Sequence, residues 1–159
     1  MLSESEKKEI IEAIQHYEKR ADSRSACIDA LKIVQKHRGW VSDEGIRDVA
    51  EILHMSPSEV DGVATFYNLI FRKPVGKNVI LLCDSVSCWV MGYEEIRRRI
   101  SEHLKIGFGE TTPDGEFTLL PIPCLGCCDH APACVMGEKL HADLKPETIA
   151  KELGQWKNQ

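Results

Sequence analysis

The chain has 159 residues, of which 43% are hydrophobic, and a formal net charge of -5 at pH 7. This length fits one domain of ordinary size or two small ones, and the hydrophobic content is sufficient for packed cores. The mixed and mildly acidic charge excludes a broad basic face, so nucleic acid is not expected as a partner. The composition therefore predicts a folded, acidic protein.

Two features of the sequence bear on its location. No segment reaches the roughly 20 uninterrupted apolar residues of a membrane span, and the first residues, MLSESEKKEI, lack the apolar centre of a secretory signal. The seven cysteines are then expected in a reducing compartment, which favours thiolate chemistry over disulfides. We expect a cytoplasmic protein without direct membrane insertion.

Residues 3–71 have the hydrophobic periodicity of α-helices. Two apolar faces stand near the start, formed by Ile10, Ile11, Ile14 and Tyr17 and by Ala30, Leu31, Val34 and His37. Ser42 is expected to cap a third helix, whose inward face is Ile46, Val49, Ala50 and Leu53. Ser56 with Pro57 and Glu59 predicts a capping box on a fourth helix. The sequence predicts a small helical bundle.

Pro74 and Gly76 interrupt this helical period, and we place a domain boundary within residues 72–77. The predicted domains are residues 1–75 and residues 76–159. The change of period from helical to extended at this point indicates an α+β protein, with a helical bundle followed by an α/β domain.

The second domain is predicted to alternate strands and helices. NVILLC and FTLLPIP predict strands, and residues 92–104 predict a helix with Ile96, Ile100 and Leu104 inward. ACVMG and KLHAD predict a hairpin around Gly137. A last helix is expected from about Pro146 to Gly154.

Four cysteines lie in two short clusters: Cys83 and Cys88 in CDSVSC, and Cys124 and Cys128 in CLGCC. Each cluster follows a predicted strand, and loops beyond the carboxyl ends of parallel strands lie side by side in an α/β sheet. A [2Fe-2S] cluster needs two protein ligands on each of its two irons, and four cysteines are its usual ligands. The spacing therefore indicates a binuclear iron–sulfur site.

Other thiolate sites fit this spacing less well. A structural zinc site typically has two-residue gaps between paired cysteines, whereas the gaps here are four and three. A plant-type ferredoxin would need a further cysteine at the position of Met91. Cys127 could in principle replace Cys128 as a ligand. The two are alternatives, because only one of two neighbouring side chains in an extended segment readily faces a common metal. Cys127 and Cys128 are poorly suited to dithiol exchange, because they lack the two intervening residues of thioredoxin motifs.

Residues beside the four cysteines suggest ways of tuning the site. Ser85, Ser87 and Gly126 would let backbone N–H groups approach sulfur, or would simply permit tight turns. Asp84 and Asp129 would lower a reduction potential if aimed at the cluster, and would otherwise face solvent. His130 could couple an electron to a proton, and Trp89 could shield the cluster or pack in the core. Cys27 and Cys134 are expected to be buried small hydrophobes.

An independent catalytic centre is not expected in this chain. The sequence has no GxGxxG or Walker-type phosphate loop and no HExxH zinc motif.

Two long segments carry a resemblance to a known family. HRGWVSDEGIRDVAEILHMSPSEVDGVATFYNLI and GETTPDGEFTLLPIPCLGCCDHAP resemble the small thioredoxin-like [2Fe-2S] subunits of bacterial NADH:quinone oxidoreductase, respiratory complex I. The resemblance implies that Cys83, Cys88, Cys124 and Cys128 are the ligands, with Cys128 rather than Cys127. It also implies a thioredoxin-like fold for the second domain. Cys127 departs from the family, which more often has alanine or another small residue there.

The resemblance further implies a partner and a place in the cell. The partner is a larger subunit that binds NADH and FMN, and the helical bundle helps to dock it. The cluster exchanges single electrons with that flavin, so the chain is an electron-transfer subunit, held at the cytoplasmic side of the inner membrane through the complex. Related subunits serve NAD-linked hydrogenases and formate dehydrogenases. Two different functions compete with this one: a zinc-stabilised docking module without a redox role, and a free-standing ferredoxin.

Overall fold

The computed structural model of the chain describes residues 1–18 and 23–156. They belong to two compact units, Met1–Pro74 and Val75–Gln159, each with its own hydrophobic core. The first unit is helical, and the second combines helices with a sheet. Among the residues described, no helix has both the length and the apolar character that a membrane span requires.

The first unit contains the helices that the periodicity predicts. Their bounds are α1 Glu4–Glu18, α2 Cys27–Arg38, α3 Asp43–Leu53 and α4 Pro57–Phe66, with a 3₁₀ helix at Ser23–Ala26. The predicted face of α3 is buried along its whole length. On α1 the prediction is wrong for Ile11, which is 48% exposed because it lies beside the stripe formed by Ile10 and Ile14. The predicted place of Tyr17 on this face lies outside the side chains that the structure describes.

Local hydrogen bonds fix the starts of α3 and α4, as predicted. The Ser42 hydroxyl accepts a hydrogen bond from the Gly45 backbone N–H at 3.1 Å. Ser56 and Glu59 form a reciprocal capping box, in which the Ser56 backbone N–H donates to the Glu59 carboxylate at 2.9 Å. These caps satisfy N–H groups that the first turn of a helix leaves without partners.

Ion pairs connect elements of the first unit that are distant in sequence. Arg38 donates to the buried carboxylate of Glu6 at 2.6 and 3.0 Å, which joins α2 to α1. Arg72 donates to Asp61 at 2.9 Å and to Asp43 at 2.7 Å, and also to the Val41 carbonyl. The segment after α4 is thereby held against α4 and the start of α3.

The second unit is built on a four-stranded sheet with the order β2-β1-β3-β4. The strands are β1 Asn78–Cys83, β2 Phe117–Ile122, β3 Cys134–Met136 and β4 Lys139–His141. β1 and β2 are parallel, with a register that runs from Asn78 opposite Phe117 to Cys83 opposite Ile122. β3 pairs with β1 and β4 in antiparallel fashion. The carboxyl ends of β1 and β2 therefore lie next to each other.

Gly76 stands where the chain enters this sheet, and no larger residue fits there. A Cβ atom at this position would lie 2.9 Å from the Gly115 carbonyl oxygen and 3.0 Å from the Phe117 carbonyl carbon. The Gly76 N–H donates to the Thr118 hydroxyl at 2.6 Å. The backbones that precede β1 and β2 thus approach closely because residue 76 has no side chain.

The helices of the second unit differ from the sequence prediction at two points. The predicted middle helix is present as α6 Tyr93–Leu104, but a short helix that the sequence did not predict, α5 Val86–Val90, precedes it. The last helix, α7 Ile149–Trp156, begins after a turn in which Thr148 and Ile149 donate to the Lys145 carbonyl. α7 continues through Gly154 because Leu153 and Trp156 are both anchored in the core.

Candidate iron–sulfur site

The first cysteine loop leaves the sheet at the end of β1. Cys83 is the last residue of that strand, and its N–H donates to the Ala133 carbonyl at 3.1 Å. The next N–H, from Asp84, donates to the Ile122 carbonyl at 3.0 Å, so the loop is fixed to the end of β2. The chain then forms α5, which carries Cys88 on its buried side with 2% exposure. The Cys83 thiol acts to raise the pKa of Cys88, so these two thiols are neighbours.

The second cysteine loop follows β2 and presents two exposed thiols. The sulfur atoms of Cys124 and Cys128 are 3.6 Å apart. Between them Gly126 has a φ of 77°, a conformation that glycine adopts without steric cost. Its backbone N–H donates to the Cys124 sulfur at 3.3 Å. This turn brings both thiols to one side of the loop.

Contacts between the loops bring the two pairs together. The Ser85 hydroxyl of the first loop lowers the pKa of the Cys124 thiol, and the Ser87 hydroxyl acts to lower that of the Cys128 thiol, so both serines lie beside the second loop. The Cys83 thiol in turn lies 3.5 Å from the Pro123 carbonyl, to which it donates. The two cysteine loops therefore adjoin at the carboxyl ends of β1 and β2.

The thiols differ in how readily they ionise. Burial raises the pKa of Cys88 to about 11, and the neighbouring Cys83 thiol acts in the same direction. The Gly126 N–H and the thiol of Cys128 lower the pKa of Cys124, because both stabilise its thiolate. The pKa of Cys128 is raised, chiefly by its hydrogen bond with Cys124. In this pair, Cys124 is the thiol that loses its proton first.

The donor set suits a [2Fe-2S] cluster. Within residues 1–18 and 23–156, no three His, Cys, Asp or Glu side chains are grouped so as to hold a single metal ion. A [2Fe-2S] cluster asks for only two thiolates on each iron, and the loops offer one pair each. Metal coordination would remove the thiol protons, since iron binds thiolates.

Cys127 and Cys128 have different surroundings although they are neighbours. The thiol of Cys128 contacts the thiol of Cys124 and the hydroxyl of Ser87. Cys127 is half-buried and precedes the 3₁₀ helix Cys128–His130, and its carbonyl accepts a hydrogen bond from the His130 N–H at 3.2 Å. The expectation that Cys27 and Cys134 are buried is confirmed, and burial raises the pKa of Cys134 to about 12.

The residues around the thiols also include features that the sequence did not reveal. The imidazole of His130 lies 3.0 Å from the Asp143 carboxylate through Nδ1 and 3.6 Å from that of Asp129 through Nε2. Asp143 is 13 residues away from His130, so local pattern gave no signal for this pair. Asp84 and Asp129 are exposed. Trp89 is 58% exposed, and the suggestion that it packs in the core is therefore wrong.

Comparison with known proteins places the chain in a family. The sequence model of the family described as thioredoxin-like [2Fe-2S] ferredoxin matches residues 10–157. The E subunit of NADH-quinone oxidoreductase from Pseudomonas aeruginosa is 50% identical over 96% of this chain and 90% of its own length. The protein of the same name from Buchnera aphidicola is 53% identical over 94% of this chain and 93% of its own length.

A solved structure supports the fold. An NAD+-reducing [NiFe]-hydrogenase chain in the air-oxidized state superimposes with a TM-score of 0.68 and 20% sequence identity. The match covers 81% of this chain and 23% of the hydrogenase chain, so this chain corresponds to a minor part of that protein's length. At this identity the likeness concerns the fold alone.

These findings confirm the predicted resemblance and the predicted α+β fold class, a helical bundle followed by a thioredoxin-like domain. Relatives at about half identity align along nearly their full length, which shows common ancestry for the whole chain rather than for the cysteine loops alone. Its relatives at about half identity are named E subunits of NADH-quinone oxidoreductase. The chain belongs to the thioredoxin-like [2Fe-2S] ferredoxin family.

Proposed function

We propose that the chain is the one-electron carrier subunit of NADH:quinone oxidoreductase. In this role Cys83, Cys88, Cys124 and Cys128 hold a [2Fe-2S] cluster, one per chain, which exchanges electrons with the FMN of a partner subunit that also binds NADH. The observation that carries the proposal is the meeting of the two cysteine loops at adjacent ends of parallel strands. The relatives named as E subunits of NADH-quinone oxidoreductase indicate the complex.

The chain's own groups suit the task of holding a centre whose charge changes. A [2Fe-2S] cluster, when bound, takes up and returns one electron at a time. The Gly126 N–H donates a hydrogen bond to the Cys124 sulfur, and the hydroxyls of Ser85 and Ser87 lie beside the thiols of Cys124 and Cys128 as further donors. Such bonds stabilise negative charge on sulfur and so favour the reduced state. The strand register holds both loops in place, which limits the rearrangement that accompanies electron transfer.

The remaining parts of the proposal concern the partner and the location. The helical unit helps to dock the flavin-bearing subunit, and the chain lies on the cytoplasmic side of the inner membrane through the complex. The kinship with the E subunits supports both statements. An equivalent subunit of an NAD-linked hydrogenase or formate dehydrogenase would use the same cysteine site with a different terminal acceptor.

Anaerobic isolation of the native protein with its partners tests the proposal. We expect brown protein with equal iron and sulfide, a paramagnetic signal after one-electron reduction, and a co-purifying flavoprotein that oxidises NADH and passes electrons to quinone. One zinc per chain without sulfide would instead identify a non-redox docking module. A hydrogenase or formate dehydrogenase activity in the isolated complex would reassign the host enzyme.

A further inference from the structure

Helix α5 has a buried side, which faces the core of its unit, and an exposed apolar side. Cys88 faces the interior with 2% exposure. Val86, Trp89 and Val90 are spaced at i, i+3 and i+4, which places them on one helix surface. They are 71%, 58% and 68% exposed, and Met91, directly after the helix, is 61% exposed. We call these four residues the α5 patch.

The α5 patch is unusual because its apolar side chains point away from the core of their own unit. Large exposed apolar groups that lie together mark interaction surfaces more often than single exposed residues do. The indole N–H of Trp89 donates to the Glu94 carboxylate at 3.3 Å, which restricts the orientation of the ring. A restrained tryptophan loses little entropy when a partner covers it, and tryptophan is enriched among the residues that dominate binding energy.

Carboxylates lie around the α5 patch. Asp84 precedes α5 and is exposed, and Glu94 lies beside Trp89. An apolar centre with an acidic rim fits a partner face that has an apolar centre and basic side chains around it.

We propose that the α5 patch is the surface on which the flavin-bearing partner subunit docks, through an apolar face bordered by lysine or arginine. The proposal rests on the proposed function, because it assigns a surface to the partner named there. A partner on this face would lie across α5 from Cys88, and one helix is only about 10 Å thick. Docking here would therefore place the flavin subunit close to the cysteine loops and exclude water from them.

A second copy of this chain is the competing occupant, and the charges argue against it. A two-fold symmetric contact pairs a surface with itself. The carboxylates of Asp84 and Glu94 would then face their own copies, and like charges across an interface are unfavourable. A partner with basic side chains avoids this repulsion.

Binding measurements with the full chain test the proposal. The wild type and the variants Trp89→Ser and Val90→Ser are loaded with iron and sulfide, and each is titrated with the flavoprotein purified from the native complex. We expect Trp89→Ser to weaken binding by roughly 10- to 100-fold, as for a binding hot spot. Iron content, sulfide content and the visible spectrum should equal those of the wild type. Leu140→Ser is the matched control, because Leu140 is an exposed apolar residue of β4, outside the patch.

The charge argument has its own measurement. Asp84→Asn should lower the association rate at low salt and reduce its dependence on ionic strength, since steering by opposite charges is screened by salt. An association rate that rises after this substitution would contradict a basic partner face.

The outcomes separate this proposal from the proposed function. Unchanged affinity in both Trp89→Ser and Val90→Ser, with the cluster intact, overturns the docking surface. A wild-type dimer that Trp89→Ser dissociates, with partner affinity unchanged, also overturns it and identifies a second copy as the occupant. A wild-type chain that binds the flavoprotein through Trp89 but holds no [2Fe-2S] cluster supports the docking surface and removes the electron-carrier function.

Discussion

The two units of this chain use their side chains in different ways. In the helical unit, charged groups such as Arg38 and Arg72 are joined to carboxylates and carbonyls of the same unit. The α/β unit instead exposes thiols, at Cys124 and Cys128. Exposed apolar side chains occur in both units, on α5 and at Phe66 and Leu69. The contrast teaches that exposed side chains without a role in holding the fold together indicate the functional surface more clearly than side chains that stabilise the fold. It can be tested by substitutions in each unit, from the largest expected effect to the smallest.

Replacing a proposed ligand should have the largest effect. Cys88→Ser removes the buried thiol of the first pair, and we expect a preparation with almost no bound iron or sulfide, because one iron loses half of its protein ligands. Iron analysis, sulfide analysis and the spectrum of the reduced protein measure this. Cys134→Ser and Cys127→Ser are matched controls that should keep the cluster. Full loading of Cys88→Ser would show that the ligand set is wrong.

A cavity in the helical unit should affect stability and leave the cluster in place. Leu53 is fully buried, and Leu53→Ala should cost about 2–5 kcal/mol of unfolding free energy. Urea denaturation followed by circular dichroism measures the loss, with Leu69→Ala as an exposed control. Iron content should match the wild type. If the cluster is lost as readily as the helices are, the two units depend on each other more closely than their separate cores suggest.

The Glu6–Arg38 pair should make the helical unit sensitive to acid. Hydrogen bonds from Arg38 to the Glu6 carboxylate lower the pKa of Glu6 from an ordinary 4.5 to about 2. A carboxyl whose folded pKa is depressed contributes stability that is complete above the unfolded pKa and is lost as pH falls through the folded one. We expect Glu6→Gln to cost roughly 2–3 kcal/mol at pH 7, with a difference that shrinks as pH falls from 4.5 to about 2.

Urea denaturation at a series of pH values follows the Glu6 effect. Glu12→Gln is a suitable control, because Glu12 is an exposed residue on the same helix. The free energies of unfolding of the wild type and of Glu6→Gln are compared at each pH. If their difference stays constant from neutral pH down to the folded pKa, the contribution of this carboxylate does not depend on its charge.

The smallest predicted effect concerns the hydroxyl of Ser87. This group lies beside the thiol of Cys128 and acts to lower its pKa, and a hydrogen bond to sulfur favours the reduced cluster. Ser87→Ala should lower the reduction potential by roughly 20–60 mV, the equivalent of one neutral hydrogen bond. Redox titration of the loaded protein measures the shift, and Ser58→Ala in α4 is the control. A potential that rises would contradict the direction of the bond's effect.

Local sequence signals predicted much of the fold. The caps at Ser42 and Ser56 depend on atoms within three residues, so a short pattern specifies them completely. The strands at NVILLC and FTLLPI followed from apolar runs bounded by proline, glycine and charged residues. The spacing of the cysteines led to the two loops that the structure brings together.

Features that depend on distant contacts were missed. Helix α5 has only five residues and itself carries Cys88 within the first cysteine loop, so neither its length nor its period could indicate a helix. The burial of Cys88 depends on how α5 packs into the core of the second unit. The Asp143 carboxylate reaches His130 only after the β3–β4 hairpin has folded. Periodicity describes one element at a time, and these contacts join two.

The pairing of β1 with β2 determines which insertions and deletions this protein can tolerate in evolution. Cys83 stands opposite Ile122 in the parallel register, so the gap between the metal-binding turns is set by hydrogen bonds across the strands. The crossover of residues 84–116 contributes little to that gap beyond α5. Insertions after α6 would therefore leave the metal-binding turns undisturbed. Deletion of one residue inside β1 would instead move the neighbouring side chains to the opposite face of the sheet and displace Cys83 from its place opposite Ile122.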